Sequence, residues 1–182
     1  MTTIPASTLM ATSEGVRTRT VSWTDPARAR FHLRDRDGYE QLRAIARGVA
    51  APPPVAALLG MSIVRVERGR VVFSIVADEM HENPMGTMHG GVIATLVDSA
   101  MGCAVASRLP AGTSYTTLEL KTNYVRAVVQ TTGALYAEGR VVHLGRRIAT
   151  TEATVKDEHG TLYAHASSTC LISGPPSKGP VS

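Results

Sequence analysis

The chain has 182 residues, of which 43% are hydrophobic and 19% are charged. This length and composition are typical of one globular domain. Its two cysteines, Cys103 and Cys170, are too few and too far apart in sequence to suggest a disulfide framework or a zinc site, so we expect free buried thiols. The formal net charge is +4, and most of it comes from six arginines that precede Asp37. The rest of the chain is close to neutral, so the positive charge is mostly a property of this leader, and we expect no nucleic-acid partner.

The two ends of the chain are predicted to lie outside the folded domain. Residues 1–36 are rich in Thr, Ser, Ala and Arg without apolar periodicity, so we expect a flexible leader there and a C-terminal tail over 174–182. No signal peptide is recognisable at the start of the chain. The apolar run over 90–107 carries Asp98 at its centre, which is unfavourable in a bilayer. We therefore expect a cytoplasmic protein without a membrane partner.

The remaining segment, 37–173, predicts a single domain that begins with a helical extension over 37–60. Asp37 and Glu40 have the spacing of a capping box, and the run Pro52–Pro54 ends the first helix before a short turn over 55–59. Apolar patterns and turn signals then predict strands over 62–67 and 70–77, a helix over 90–107, and strands over 115–126, 133–143, 147–156 and 162–172.

The order of these elements predicts the fold class. Short links between the last three strands indicate an antiparallel meander. The long helix is apolar on nearly all sides and must be enclosed. An α+β fold, in which a curved antiparallel sheet wraps around one long central helix, satisfies both conditions.

The start of the long helix and its middle carry the candidate chemistry. Gly90 and Gly91 leave the first-turn N–H groups accessible, and these donors suit a carbonyl oxygen that gains negative charge. Asp98 cannot cap the helix, and a buried carboxylate is unfavourable unless it is paired or functional. A hydrogen bond to a neighbouring loop is the structural alternative.

Spacing adds a constraint on how these groups could work together. Asp98 follows Gly90 by eight residues, which is about 12 Å along a helix. The Asp98 carboxylate cannot easily attack a carbonyl that is held by the N–H groups at the start of its own helix. Two copies of the helix side by side could bring the start of one close to Asp98 of the other. Small or polar residues on one helix face indicate a groove beside the carboxylate: Gly91, Thr95, Asp98, Gly102 and Ala106. The small residues Ala100, Gly102 and Ala106 indicate room for a ring or chain.

Three separated motifs occur along the chain: Asn83-x-x-Gly86-x-x-His89-Gly90-Gly91 with Asp98 nine residues after His89, then Thr117-x-Glu119-Leu120-Lys121-x-Asn123-Tyr124-x-Arg126, and Gly145-Arg146-Arg147. They resemble, in this order, the motifs of the PaaI-type hotdog thioesterases, in the 4-hydroxybenzoyl-CoA thioesterase-like superfamily. The resemblance covers roughly 55–172. It implies a hotdog fold, hydrolysis of aromatic or medium-chain acyl-CoA, and dimers paired into tetramers. It also implies that no metal or other cofactor is needed.

The resemblance also implies roles for individual residues. Asp98 would be the nucleophile or general base, and the Gly90 N–H would polarise the thioester carbonyl. Asn83 and His89 would shape the pocket and hold the carbonyl or the attacking water. Thr117 would orient the water or the carboxylate from the facing subunit. Strict alternation places Thr117 away from the helix, so this role needs a β-bulge or a site at the subunit seam.

The CoA moiety carries phosphates, so basic groups and exposed backbone are expected around the pocket mouth. The candidates for binding the substrate are Gly91, Tyr124, Arg126, His143, Gly145, Arg146 and Arg147. Two other functions remain open at this point. The chain could be a hotdog hydratase or dehydratase acting on enoyl-CoA, or a non-catalytic module that binds acyl-CoA.

Overall fold

A computed structural model describes residues 15–174 of the chain. Three helices and a strand pair come first, followed by a long helix and four more strands. The elements are α1 Pro26–Leu33, α2 Gly38–Ala46, α3 Pro54–Leu59, β1 Ser62–Glu67, β2 Arg70–Val76, α4 Gly90–Ala106, β3 Ser114–Tyr124, β4 Ala134–Leu144, β5 Ile148–Asp157 and β6 Leu162–Ser173. Short 3-10 turns lie at Glu79–His81 and Gln130–Thr132.

The six strands form one antiparallel sheet in the order β1-β2-β4-β5-β6-β3. Helix α4 packs on the inner face of this sheet and supplies much of the core, including Leu96, Val97, Ala100, Met101 and Ala104, none of which is exposed. The predicted α+β fold with a curved sheet around a central helix is therefore confirmed. One side of the helix is not covered by the sheet: Gly91 is exposed, and Thr95, Asp98 and Ser99 are half-buried.

Strand β3 lies at the edge of the sheet. It pairs with β6, with Ser114 opposite Ser173 and Tyr124 opposite Ala164, while the meander predicted from the short links is formed by β4, β5 and β6. The sequence did not indicate which strand β3 would join, because its link to β4 is long. Within residues 15–174, no strand pairs with the other edge of β3.

The predicted helical extension is present before β1. Helix α2 begins as expected, since the Asp37 side chain accepts a hydrogen bond of 2.8 Å from the Glu40 N–H. Arg68, in the β1–β2 turn, donates to the same carboxylate at 2.7 Å and so holds the pKa of Asp37 below its usual value. This contact ties α2 to the first strand pair.

Helix α1 was missed by the sequence analysis, which expected residues up to 36 to be flexible. Its start carries a recognisable signal, because the Asp25 side chain accepts from the Ala27 N–H at 2.9 Å and Pro26 occupies the first turn. Leu33 at its end is buried. The expectations for residues 1–14 and 175–182 lie outside the described residues. None of the helices in the described part is long and apolar enough to cross a membrane.

Candidate functional site

Asp98 lies on the uncovered side of α4, two helical turns after its start. Its side chain is half-buried, and its Oδ1 accepts a hydrogen bond of 2.8 Å from the Thr117 hydroxyl. No other group within residues 15–174 donates to this carboxylate. Thr117 therefore fixes the orientation of the side chain and leaves Oδ2 available to a substrate or a water molecule.

Thr117 reaches Asp98 because β3 contains a bulge. The pairing with β6 shifts register between Thr117 and Glu119, and Leu118, which the shift displaces, is 55% exposed. A bulge inserts one residue and changes the face on which the neighbouring side chains lie. Strict strand alternation made such a bulge or a subunit seam necessary for this role of Thr117, and the bulge is present. The contact lies within one chain, so Thr117 orients the carboxylate of its own chain, while its predicted action on the attacking water stays a prediction.

The start of α4 is arranged around His89, which is the N-cap residue. Its Nδ1 accepts from the Gly91 N–H at 2.9 Å, and its carbonyl accepts from the Val92 N–H at 2.9 Å. Because Nδ1 is the acceptor, the neutral ring carries its proton on Nε2, and His89 is exposed. Among the described residues, the Gly90 N–H has no acceptor. It is thus the free amide donor of this helix start.

Tyr124 covers the other side of Gly90. Its hydroxyl donates to the Gly90 carbonyl at 2.9 Å, and a Cβ added at Gly90 would lie 3.1 Å from the Tyr124 ring. A glycine therefore allows close contact between the ring and the helix start. Tyr124 is 51% exposed, so its ring borders the free amide on the solvent side.

Asn83 organises the loop that leads to α4. Its Nδ2 donates to the Thr87 hydroxyl at 2.9 Å, and its Oδ1 accepts from the Met85 N–H at 2.9 Å. The Glu82–Met88 bridge closes the same loop. In this chain the Asn83 amide is occupied by its own loop, which agrees with a role in shaping the site.

The predicted substrate-binding residues do not gather in one place within a chain. Gly91 and Tyr124 lie beside Gly90, and Arg126 follows the end of β3, where its N–H donates to the Tyr163 carbonyl. Arg147 lies by Ile172, which is paired with Tyr115 near the opposite end of β3. Strand β3 has 11 residues and separates the two groups by about 35 Å. His143, Gly145 and Arg146 belong to the same distant hairpin.

Three small residues of α4, Ala100, Gly102 and Ala106, are used for close packing, so the predicted groove does not extend along these residues. A Cβ on Gly102 would lie 2.6 Å from the Tyr115 hydroxyl, so the Tyr115 ring fills that space. A Cβ on Gly139 would overlap the Ala100 backbone, and one on Gly38 would overlap the Ala106 backbone. Small residues here let β3, β4 and α2 approach the helix.

Cys103, one turn beyond Asp98, is the other candidate nucleophile near the site. Desolvation raises the pKa of its thiol to about 12, and the negative charge of Asp98 contributes to the shift. The side chain retains some exposed surface, but at neutral pH it is a thiol and not a thiolate. Since the thiolate is the nucleophilic form, Asp98 is the better candidate.

Comparison with known families agrees with this geometry. The family described as the thioesterase superfamily matches residues 85–164, which span the Asn83 loop from Met85 onward, α4 and most of the sheet. The 1,4-dihydroxy-2-naphthoyl-CoA hydrolase of Listeria monocytogenes is 27% identical over 100 residues, which cover 55% of this chain and 80% of that protein. The proofreading thioesterase EntH of Klebsiella pneumoniae is 28% identical over 120 residues, which cover 66% of this chain and 86% of that protein.

Solved structures show the same fold. One protein from the thioesterase superfamily is 31% identical, has a TM-score of 0.61, and covers 75% of this chain and 98% of its own. The similarity to the E. coli PaaI protein from the phenylacetic acid degradation operon covers 75% of this chain and 96% of that protein, with a TM-score of 0.66. At 19% identity, that second similarity shows the fold alone.

The chain belongs to the thioesterase superfamily, has the hotdog fold of the PaaI-type proteins, and is a thioester hydrolase. The family resemblance noted in the sequence and the enzyme class that it implied are both confirmed. Thioester hydrolysis is thereby favoured over the hydratase and the non-catalytic binding module.

The raised pKa of Cys103 predicts slow alkylation. At pH 8, a thiol with a pKa of about 12 is about 10³-fold less ionised than a free cysteine. Iodoacetamide should therefore label Cys103 about 10³-fold more slowly in the native protein than in urea, as measured by peptide mass spectrometry. Labelling of native Cys103 at the rate of the unfolded chain would show that the thiol is accessible and ionised.

Proposed function

We propose that this enzyme hydrolyses acyl-CoA thioesters to the free acid and CoA at a site shared by two copies of the chain. The observation that carries the proposal is the pair of groups on α4: a free Gly90 N–H at its start and Asp98 on its uncovered side. Because they lie about 12 Å apart on one rigid helix, the amide of one copy would serve the Asp98 of the other.

In this site the Gly90 N–H donates to the thioester carbonyl oxygen and stabilises the negative charge that develops there. Asp98 then acts in one of two ways. As nucleophile, its Oδ2 attacks the carbonyl carbon, CoA leaves as the thiolate, and water hydrolyses the resulting anhydride. As general base, it removes a proton from a water molecule that attacks the same carbon. In both cases Thr117, through its bond to Oδ1, holds the carboxylate in place.

The surroundings of α4 support a site made by two chains. Gly91 is exposed and Asp98 is only half-buried within its own chain, and the outer edge of β3 pairs with no strand in the described part. A homodimer, or two dimers paired in a tetramer, would cover these surfaces. The predicted substrate-binding residues lie at opposite ends of β3, and we propose that Arg126 and the Gly145–Arg147 hairpin meet CoA from different copies.

The substrate class is proposed from the chemistry of the site and from the name of the Listeria relative, which is a CoA hydrolase. Aromatic and medium-chain acyl groups are the candidates. The protein would act in the cytoplasm and without a metal ion. Release of the CoA thiol from phenylacetyl-, benzoyl- and straight-chain acyl-CoA would rank these substrates.

The substitution Asp98→Asn tests the carboxylate. It preserves the shape of the side chain and its acceptance from Thr117, but it removes the charge needed for attack or proton abstraction. We expect kcat for acyl-CoA hydrolysis to fall by about 10³-fold with the thermal unfolding midpoint nearly unchanged. Asp35→Asn is the matched control, because the Asp35 side chain is 89% exposed. Near-normal turnover by Asp98→Asn would refute the assigned chemistry.

The substitution Gly90→Pro tests the amide donor without moving the helix. Proline lacks the N–H, is favoured at a helix start, and requires an extended residue before it. His89 meets that requirement with φ −60° and ψ 131°. Gly90→Ala is the control, since it adds the same Cβ beside Tyr124 but keeps the N–H.

We expect kcat of Gly90→Pro to be about 10²-fold lower than that of Gly90→Ala, the loss typical of one oxyanion donor. The two proteins should have similar circular dichroism spectra. Equal rates for the proline and alanine variants would mean that this amide does not stabilise the reacting carbonyl.

A further inference from the structure

The 3-10 turn Glu79–His81 lies just before the Asn83 loop, and each of its three residues contacts a residue that precedes β1. Arg17 forms an ion pair of 2.8 Å with Glu79, and Arg19 contacts the Met80 sulfur. The His81 Nε2 lies 3.1 Å from the Leu59 carbonyl oxygen at the end of α3. The first two contacts are exposed and contribute little. His81 is 3% exposed, so its contact is the strongest of the three.

The chemistry of the His81 ring follows from its partner. A carbonyl oxygen can only accept, so Nε2 carries the proton and donates to Leu59, while Nδ1 keeps its lone pair. Nδ1 is buried and has no hydrogen-bond partner in the described part of the chain. An unsatisfied buried nitrogen is unfavourable, so Nδ1 gives no reason for a histidine at this position. The bond to Leu59 is what distinguishes histidine at this position.

The His81 backbone continues this connection into the site. Its carbonyl accepts a hydrogen bond of 2.7 Å from the His89 N–H. His89 caps α4, and Gly90 follows directly. The His81 ring is thus anchored to the end of α3, while the His81 carbonyl holds the His89 backbone next to the free Gly90 N–H. The family match begins at Met85, so both α3 and His81 lie outside the matched region.

We propose that His81 is a positioning residue, which ties the end of α3 to the His89 backbone and thereby sets the direction of the Gly90 N–H. This proposal rests on the proposed function, because it assumes that the amide binds the thioester carbonyl. Helix α3 is then a part of the scaffold that positions the catalytic amide.

Two substitutions separate the hydrogen bond from the bulk of the side chain. Glutamine places its Nε2 donor near the position of the histidine Nε2, so His81→Gln keeps the bond to Leu59. His81→Leu keeps a similar volume without any donor. We expect the leucine variant to lose about tenfold in kcat with KM within about twofold, since a displaced oxyanion donor weakens the transition state more than substrate binding. The glutamine variant should stay within about threefold of the wild type.

His159→Leu is the matched control, because the His159 side chain is 80% exposed in the β5–β6 turn. If the leucine variant does not fold, His81→Asn replaces it, since the shorter amide is too short to reach Leu59. Equal kcat losses in His81→Gln and in His81→Leu (or His81→Asn) would overturn the proposal. A normal kcat in His81→Leu or His81→Asn would also overturn it.

Hydrogen exchange gives a readout that does not depend on activity. Loss of the anchor should speed exchange in peptides covering 82–92, which include the His89 amide, and leave peptides covering 100–106 unchanged. The glutamine variant should exchange as the wild type does. Unchanged exchange at 82–92 in the leucine variant would reject the positioning role even if Asp98→Asn is inactive. Full activity of Asp98→Asn would instead reject the proposed function. The exchange result would then still show whether His81 holds the His89 backbone, but not that this contact serves catalysis.

Discussion

The rest of the structure depends on the geometry of one helix. Helix α4 is rigid because the sheet covers most of its surface and its small residues allow β3, β4 and α2 to pack closely against it. It holds a free amide at Gly90 and a carboxylate at Asp98 about 12 Å apart, so the two groups cannot reach one carbonyl from the same chain. We propose that a second copy completes the site, and such a copy would pack against the uncovered side of the helix and the unpaired edge of β3.

Local features of this fold could be predicted from the sequence, since each depends on neighbouring residues. The bounds of α4 and of the strands follow from apolar patterns and turn residues, and the start of α2 follows from the Asp37 cap. Strict alternation along β3 places Thr117 on the face away from α4, whereas its expected role needs it close to Asp98. A bulge beside Thr117 resolves this conflict, and it is present. Helix α1 was missed because its Asp25-Pro26 start lies in a segment without an apolar period.

Features that depend on distant residues could not be predicted. The small residues of α4 are compatible with a substrate groove or with close packing, and only the position of the Tyr115 ring at Gly102 decides for packing. The pairing of β3 with β6 has no local signal. The role of His81 depends on contacts with Leu59 and His89, which lie 22 residues before it and eight after it in the chain. Such contacts leave no periodic trace in the sequence.

Complementation between two inactive variants tests the shared site most directly. Asp98→Asn and Gly90→Pro chains, mixed by co-expression, would form hetero-oligomers in which one site combines the intact Asp98 of one chain with the intact Gly90 of the other. The account predicts about a quarter of wild-type kcat per chain, since about half of randomly formed dimers are mixed and each has one intact site of two. A mixture no more active than the separate variants, although mixed oligomers form, would contradict a site built from two chains.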